Sequence, residues 1–192
     1  AYLVGGCVRD LLLSKTPKDW DITTNATPEE IESLFPETYC NNDYGTVGVV
    51  NPVSADAASA TANGMDESVR VVEVTPYRTE GTYSDARRPD KVTFGVSLEE
   101  DLQRRDFTIN ALAYRLKDEK LVDLFDGQMD LEKKRIKTVG DPNERFAEDA
   151  LRMMRAVRLA AELNFAIEAD TMQSITENHQ QLSRISMERV AD

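Results

Sequence analysis

Two aspartates close to a glycine pair are the residues of this chain best suited to chemistry. They lie in residues 3–24, LVGGCVRDLLLSKTPKDWDITT, a pattern that predicts a strand, a turn, a helix and a second strand carrying Asp19 and Asp21. Because side chains two apart on a strand point the same way, these carboxylates are expected to converge on one face. Two carboxylates held that close repel each other unless a cation lies between them, so the pair predicts a divalent metal site.

The turn upstream of this pair has the features of a phosphate site. Gly5 and Gly6 let the backbone approach a ligand just before a helix whose first N–H groups favour an anion. Arg9, about one turn into that helix, adds a bidentate donor. The plainer alternatives are a solvated edge strand, an ordinary turn and a surface ion pair between Arg9 and Asp10. In this order, however, the two features are the equipment for transferring a nucleotide.

Composition sets limits on the class of protein. The chain of 192 residues is 41% hydrophobic and 30% charged, which indicates a globular protein of one domain or one domain and the start of another. It has no run of 18 apolar residues, and Cys7 and Cys40 lack metal-binding spacing. We therefore expect a cytoplasmic protein with reduced thiols, without a signal peptide or a membrane span. His179, the only histidine, is expected at the surface. A net charge of −12 argues against a general nucleic-acid coat, so any RNA binding must be local.

The rest of the pattern predicts a mixed sheet domain at residues 1–137 and a helical region at 138–192. Thr27, Pro28 and Glu30 form a capping box for a helix expected to end at Phe35. Further strands are predicted at residues 46–51, 70–75, 92–95 and 121–125, with loops at 52–68 and 78–90. Further helices are predicted at residues 98–115, 144–163, 168–181 and 186–192, and residues 129–139 fit either type.

Three more groups of polar residues could serve the same chemistry. Glu73 could join the aspartate pair if their strands are neighbours, although a solvent-facing glutamate fits equally well. Asp106 and Asn110 lie four apart in a predicted helix and can address one ligand together, unless they are simply its solvated face. Asp149 and Arg152 lie one turn apart on another predicted helix, where an ordinary salt bridge is the alternative.

Five stretches together resemble the family of class II tRNA nucleotidyltransferases, the CCA-adding enzymes, and bacterial poly(A) polymerases. In the family's order they are LVGGCVRDLLL with DWDITT, EVTPYRTEGTYSDARRPD, RRDFTINALAY, DLFDGQMDL and EDALRMMRAVRLA. The resemblance implies an α/β (mixed) fold, with a polymerase-beta-like nucleotidyltransferase head in residues 1–137 followed by a helical neck. It also implies that the chain is a piece of a longer protein, in which a body and a tail would follow residue 192.

The same resemblance implies a role for each candidate residue. The catalytic carboxylates would be Asp19 and Asp21, which bind two Mg²⁺ ions, and Glu73, which aids them. The triphosphate-binding turn would consist of Gly5, Gly6 and Arg9. The segment that tells ribose from deoxyribose and holds the sugar and phosphates would consist of Arg105, Asp106 and Asn110. The pair that reads the incoming base would be Asp149 and Arg152, and the predicted nucleotide-binding set is completed by Arg155 and Arg158, which continue the spacing of three.

The implied reaction is template-independent transfer of C and A from CTP and ATP to the tRNA 3′ end, by two-metal in-line displacement of pyrophosphate. An Asp–Arg pair suits the amino donor and ring-nitrogen acceptor that cytosine and adenine share. Residues 41–50 lack the arginine-rich signature of the poly(A) polymerases, and the loop at 78–90 looks complete, unlike that of enzymes adding only CC. A addition alone, poly(A) tailing, a nucleotide-binding fragment without turnover and transfer to a non-RNA acceptor stay as alternatives, and the sequence does not indicate an oligomeric state.

Overall fold

The structure is a computed structural model that describes residues 1–40, 44–51, 70–81 and 92–184. Its strands are β1 (Tyr2–Val4), β2 (Asp21–Thr24), β3 (Thr38–Cys40), β4 (Val47–Val50), β5 (Val71–Pro76), β6 (Arg78–Glu80), β7 (Val92–Phe94), β8 (Leu112–Arg115), β9 (Lys120–Asp123), β10 (Arg135–Ile136) and β11 (Ala166–Ile167). Its α-helices are α1 (Gly6–Leu12), α2 (Pro28–Leu34), α3 (Leu98–Gln103), α4 (Gly127–Glu132), α5 (Pro142–Glu148), α6 (Leu151–Leu163) and α7 (Ala169–Asn178). Within these described residues, no helix has the length and apolar character needed to cross a membrane.

The chain divides into two compact units whose segments alternate along the sequence. The first unit consists of Ala1–Arg78, Phe94–Asp101 and Leu112–Val122, and the second of Thr79–Thr93, Leu102–Ala111 and Asp123–Asp192. The mixed α/β class expected from the sequence is confirmed. The division into domains at residue 137 or 138 stays a prediction.

A mixed sheet forms the first unit. Over the described residues it has seven strands in the order β3-β4-β5-β2-β1-β8-β9. β2 and β5 are parallel, whereas β1 is antiparallel to both β2 and β8, and β4 is antiparallel to both β3 and β5. The central position of β2 and β5 matters for the site, because these two strands carry Asp21 and Glu73.

Helix α2 covers one face of this sheet and begins where the sequence predicts. The Thr27 side chain accepts a hydrogen bond from the Glu30 N–H, the Glu30 carboxylate accepts one from the Thr27 N–H, and Pro28 occupies the first turn. The helix ends with Phe35 as its C-cap, so the predicted capping box and end are confirmed. Ile31 of this helix is buried in an apolar cluster with Val47, Val49 and Val74 of the sheet.

The helix predicted at residues 98–115 is wrong. Only α3, Leu98–Gln103, is α-helical; a 3-10 turn follows at Thr108–Asn110, and Leu112–Arg115 forms β8, which pairs with β1. Leu102, Ile109, Leu112 and Ala113 are all completely buried, as the periodic pattern suggested, but they are buried from three different elements. Pairing with a strand more than 100 residues earlier overrides the local helical spacing.

The second unit contains helices α4 to α7 and a short parallel pair of strands, β10 and β11. The predicted helix at residues 144–163 is broken into α5 and α6, because Asp149 has an extended backbone with φ −143° and ψ 107°. The ambiguous residues 129–139 divide between α4 and β10. The predicted loop at 52–68, most of the loop at 78–90 and the predicted helix at 186–192 lie outside the described residues.

Candidate active site

The predicted carboxylates Asp21 and Glu73 lie side by side in the first unit. Asp21 is the register partner of Glu73 in the parallel pair of β2 and β5, and the Glu73 N–H donates to the Trp20 carbonyl oxygen at 3.2 Å. Because register partners project from the same face of a sheet, both side chains share one face. The condition on which a shared role depended, that these two strands are neighbours, is therefore met. Glu73 is exposed and Asp21 is half-buried, so the pair is open to solvent.

The predicted position of Asp19 within the same strand is wrong. β2 begins at Asp21, and Asp19 lies exposed in the bend that precedes it. Strand alternation therefore does not fix the direction of the Asp19 side chain, although the residue still lies only two positions before Asp21 in the chain. In the part of the chain that the structure describes, no three His, Cys, Asp or Glu side chains form a ready cluster for a metal ion.

The donor set nevertheless suits a hard divalent cation. Asp21 and Glu73 offer carboxylate oxygens from adjacent strands, and such oxygens are the ligands that Mg²⁺ prefers. The exposed carboxylate of Asp19, in the bend two residues upstream, would have to move toward this pair to act as a third donor. The roles of these three residues in metal binding and catalysis stay predictions.

The glycine turn at the start of α1 has the backbone that only glycine adopts with ease. Gly5 has φ 75° and ψ −140° and is the N-cap residue of the helix. A Cβ on Gly6 would lie 3.5 Å from an Nη atom of Arg9, so the guanidinium folds back over the turn. Arg9 also forms the ion pair with Asp10, at 2.8 Å, that was the plainer alternative for it. The arginine is therefore held at the turn, and phosphate binding there stays a prediction.

Asp106 is the centre of the polar cluster of the second unit. Its Oδ1 accepts hydrogen bonds from the Phe107 N–H at 2.8 Å and from the Asn110 amide at 3.2 Å. Its Oδ2 accepts from the Arg155 Nε at 2.8 Å and lies 2.6 Å from an Nη atom of the same guanidinium. The expectation that Asp106 and Asn110 come together is confirmed, but the turn that joins them is a 3-10 turn rather than an α-helix.

Burial and charge act in opposite directions on this carboxyl group. Burial alone would raise the pKa of Asp106, but the adjacent Arg155 guanidinium, the Asn110 amide and the charge of Arg152 together hold that pKa below its usual range. The negative charge of Asp106 in turn raises the pKa of Arg155. The group is therefore a carboxylate at neutral pH, and it acts as a fixed acceptor.

The predicted base-reading residues do not share one helix. Asp149 is the C-cap of α5, and its Oδ1 accepts a hydrogen bond from the Leu151 N–H at 3.0 Å, at the start of α6. Arg152 lies in the first turn of α6, and its N–H donates to the Asp149 carbonyl oxygen at 3.0 Å. The prediction of one helix through both residues is thus wrong, because the backbone of Asp149 itself is extended. The turn that follows it still places Arg152 about one turn from Asp149. Their predicted role is a separate matter and stays a prediction.

Sequence reasoning missed the residues that hold Arg152. Its guanidinium forms an ion pair with Glu148, which also pairs with Arg145 at 2.5 Å. It donates further to the carbonyl oxygens of Arg145 at 3.2 Å and Arg104 at 3.4 Å. The available signal was the spacing of four between Glu148 and Arg152, which is typical of a helical ion pair. Arg152 is buried in this network, so its orientation is fixed.

The two remaining candidates differ in their surroundings. Arg105 is half-buried, and its N–H donates to the Leu102 carbonyl oxygen at 3.2 Å, just after the end of α3. Arg158 is exposed, one turn beyond Arg155 on α6. The structure thus brings together Asp106, Asn110 and Arg155 and holds Arg152 separately through Glu148. A nucleotide-binding role for any of them stays a prediction.

Comparisons with known proteins give the following matches. Residues 1–137 match the family described as "Poly A polymerase head domain", and residues 164–192 match the family described as "Probable RNA and SrmB- binding site of polymerase A". Proteins named CCA-adding enzyme from Limosilactobacillus reuteri and Enterococcus faecalis are each 50% identical over 191 residues, which are 99% of this chain and 43% of theirs. The chain thus spans less than half the length of these curated relatives.

Solved structures agree with these sequence matches. A Bacillus stearothermophilus CCA-adding enzyme in complex with CTP superposes with a TM-score of 0.81 and 43% identity, over 98% of this chain and 42% of that one. A tRNA nucleotidyltransferase complexed with a primer tRNA and an incoming ATP analog gives a TM-score of 0.73 and 29% identity, over 98% of this chain and 50% of that one. The nucleotidyltransferase head fold expected from the sequence is therefore confirmed.

Proposed function

Because the chain belongs to the family of CCA-adding enzymes and bacterial poly(A) polymerases, we propose that it is the nucleotide-transferring part of a template-independent tRNA nucleotidyltransferase. It would add C and A from CTP and ATP to the 3′ end of tRNA and release pyrophosphate. The observation that carries this proposal is the register of β2 and β5, which sets the carboxylates of Asp21 and Glu73 beside each other on an open face of the sheet. A reaction on tRNA would take place in the cytoplasm, where Cys7 and Cys40, which are both free thiols, stay reduced.

Membership of a nucleotidyltransferase family implies, in general, dependence on a divalent metal ion, and we propose Mg²⁺. Asp19 and Asp21 would hold the metal, with Glu73 supporting them from the adjacent strand. Bound Mg²⁺ ions would activate the 3′-hydroxyl of the tRNA and neutralise the departing pyrophosphate. From the paired strand, the Glu73 carboxylate would add negative charge beside Asp21 and so favour binding of the cation there.

The turn before α1 would bind the triphosphate. Gly5 exposes backbone N–H groups without a Cβ in the way, and the guanidinium of Arg9 lies over Gly6, close to where a phosphate oxygen could accept from it. The Arg9–Asp10 ion pair at 2.8 Å would orient that guanidinium before the nucleotide arrives. The Arg9 guanidinium would then be a hydrogen-bond donor to phosphate that is already held in position at the turn.

The second unit would supply the contacts to the sugar and base. Asp106, held as a carboxylate by Arg155, and the adjacent Asn110 offer polar groups suited to a ribose. Asp149 can accept from an exocyclic amino group, and Arg152 can donate to a ring nitrogen or carbonyl. Cytosine and adenine both present an exocyclic amino donor beside a ring-nitrogen acceptor. Uracil and guanine present a carbonyl and an N–H at the matching positions. Such a pair would select C and A without a nucleic-acid template.

The test is incubation of the chain with Mg²⁺, labelled nucleotides and three tRNA transcripts that end before CCA, after C and after CC. Extension of all three transcripts to CCA is the expected result. Extension of the CC-ended transcript alone would make the protein an A-adding enzyme, and long runs of A on any RNA would make it a poly(A) polymerase. Nucleotide binding without extension of any transcript would reduce the chain to a binding fragment and overturn the proposal.

A variant pair checks that the extension comes from this site. Asp21→Asn is expected to abolish extension, because it removes a charged ligand of the proposed metal while keeping the shape of the side chain. Asp118→Asn is the matched control, since this carboxylate lies in the same unit but pairs with Arg115 at the surface. Retained extension by Asp21→Asn, or equal loss in both variants, would contradict the assignment.

A further inference from the structure

The face that carries the proposed metal ligands continues across two more strands onto an aromatic side chain. Asp21 is the register partner of Glu73, Glu73 of Gly48 in β4, and Gly48 of Tyr39 in β3. Because register partners share a face, all four residues project to the same side. Adjacent strands lie about 4.8 Å apart, so the backbone of Tyr39 is roughly 10 Å from that of Glu73. The glycine between them leaves room above its own backbone.

The Tyr39 ring fills that room. A Cβ built on Gly48 would lie within 3 Å of three ring atoms, Cζ and both Cε atoms, whereas the hydroxyl oxygen is farther away. If this Cβ lay beyond the edge of the ring at Cζ, the hydroxyl oxygen would be its nearest atom. Because Cζ and both Cε atoms are nearer than the hydroxyl oxygen, the Cβ position lies over the face of the ring. One face of the ring therefore rests on the Gly48 backbone. The side of the ring away from the sheet is open, since Tyr39 is 46% exposed.

The position of this ring in the sheet indicates which reactant it can contact, the nucleoside triphosphate or the RNA that carries the 3′-hydroxyl. In the strand order, β1 and the glycine turn that follows it lie on one side of β2, whereas β5, β4 and β3 lie on the other. In an in-line displacement the attacking oxygen and the departing pyrophosphate lie on opposite sides of the phosphorus. A triphosphate held at the Gly5 turn therefore requires the 3′-hydroxyl to approach from the side of β5 and β3. Tyr39 lies on that side.

We propose that Tyr39 is a stacking residue for a base at the 3′ end of the RNA acceptor. The proposal rests on the function proposed above, which makes RNA the acceptor at these carboxylates. A flat ring with one face supported by backbone and the other face open matches what base stacking needs, and stacking tolerates any base. Gly48 is part of the device, because any side chain there would displace the ring. The contact would help to hold the acceptor without selecting the incoming nucleotide.

The test measures KM for a tRNA transcript that lacks CCA and KM for CTP in the wild type and four variants. Tyr39→Ala is expected to raise KM for tRNA at least fivefold and to leave KM for CTP within twofold, because a lost base stack weakens RNA binding alone. Tyr39→Leu still covers Gly48 but has no aromatic face, so it is expected to match Tyr39→Ala, whereas Tyr39→Phe is expected to match the wild type. Leu34→Ala is the control, since it removes another exposed apolar side chain from α2, which covers the opposite face of the sheet.

Several outcomes would overturn this inference. Full function in Tyr39→Leu would mean that the ring only packs on the sheet, and an unchanged KM for tRNA in Tyr39→Ala would mean that it contacts no acceptor. Binding of a short RNA with 2-aminopurine at its 3′ end, followed by fluorescence, separates this failure from that of the proposed function. If the wild type extends tRNA but Tyr39→Ala quenches 2-aminopurine equally well, only the stacking proposal fails. If the wild type neither extends nor binds the RNA, both proposals fail.

Discussion

Replacing Asp106 by Asn is expected to destabilise the second unit, because four hydrogen bonds converge on this carboxylate. Two come from the Phe107 N–H and the Asn110 amide, and two from the Arg155 guanidinium. An asparagine keeps one acceptor oxygen and replaces the other by an NH2 group. In one orientation this NH2 group faces the Arg155 guanidinium, and in the other it faces the N–H groups of Phe107 and Asn110, which are all donors. At least one buried donor is therefore left without an acceptor.

The exposure of the two partners sets the magnitude. Removing one partner of a fully buried ion pair costs about 3–5 kcal/mol, whereas a hydrogen bond to a charged group contributes about 1.5–3 kcal/mol. The Asp106 side chain is 9% exposed but that of Arg155 is 42% exposed, so water can take over part of the guanidinium's interactions in the variant. The lower range applies, and we expect the free energy of unfolding to fall by about 2 kcal/mol. For a chain of this length the Tm would fall by about 4–8 °C.

The pH dependence of this loss is a second check. The folded-state pKa of Asp106 lies below its usual value, so as the pH falls the unfolded state takes up a proton first. The stability that the carboxylate contributes is therefore fully present above the unfolded pKa of about 3.9 and is lost as the pH falls through the lower folded pKa. The difference between wild type and Asp106→Asn should be constant from about pH 8 to pH 5 and shrink below about pH 4.

Urea unfolding followed by circular dichroism at several pH values measures both quantities. Asp118→Asn is the control, because Asp118 also pairs with an arginine, Arg115, at 2.6 Å but lies at the surface. Its loss should be far smaller, since exposed ion pairs contribute little. Equal losses in the two variants, or a loss in Asp106→Asn that does not change down to pH 3, would refute the reasoning.

Two other predictions concern the glycine turn and base selection. Gly5→Ala is expected to lower the free energy of unfolding, measured with urea, by about 1–3 kcal/mol, because a residue with a side chain is strained at φ 75° and ψ −140°. Gly6→Ala is the control and should change the free energy of unfolding little, since a Cβ there would meet only Arg9, at an ordinary distance of 3.5 Å. Arg152→Ala is expected to let UTP and GTP compete with CTP and ATP in the extension assay, because it removes the donors proposed to read the base. If the variant selects nucleotides as the wild type does, the Arg152 guanidinium has a structural role alone, through its contacts to Glu148 and to two carbonyl oxygens.

The elements that could be predicted from the sequence are those that local chemistry determines. The capping box of Thr27 and Glu30 fixes the start of α2 through two reciprocal hydrogen bonds between residues three apart. In β5 the sequence alternates in the same local way, since Val72 and Val74 pack in the apolar cluster and Glu73 between them is exposed. Nothing distant in the chain is needed for either result, so the pattern of residue types was sufficient.

The predictions that were wrong depend on contacts between distant segments. Leu112 and Ala113 fit a helical period, but they lie in β8, which pairs with β1 more than 100 residues earlier in the chain, and no local signal encodes that partner. The break at Asp149 interrupts a stretch that has apolar residues at helical spacing on both sides. The Asp149 carboxylate accepts from the Leu151 N–H, at the start of α6, because the Asp149 backbone is extended, and the spacing of apolar residues does not indicate this. The pairing of Glu148 with Arg152, in contrast, is local, because a spacing of four is typical of a helical ion pair.

The alignment of the proposed metal ligands is a consequence of the core on the opposite face of the sheet. A shift of β5 by one residue against its neighbours would turn Glu73 toward the side that Ile31 covers and would expose Val74. Val74 is buried with Val47 beneath Ile31, so such a shift would place an unpaired carboxylate in an apolar cluster, at a cost of several kcal/mol. The apolar residues thus fix the register, and the register places Glu73 beside Asp21. Substitutions such as Val74→Thr, which weaken the core without touching a carboxylate, act on the site through this register.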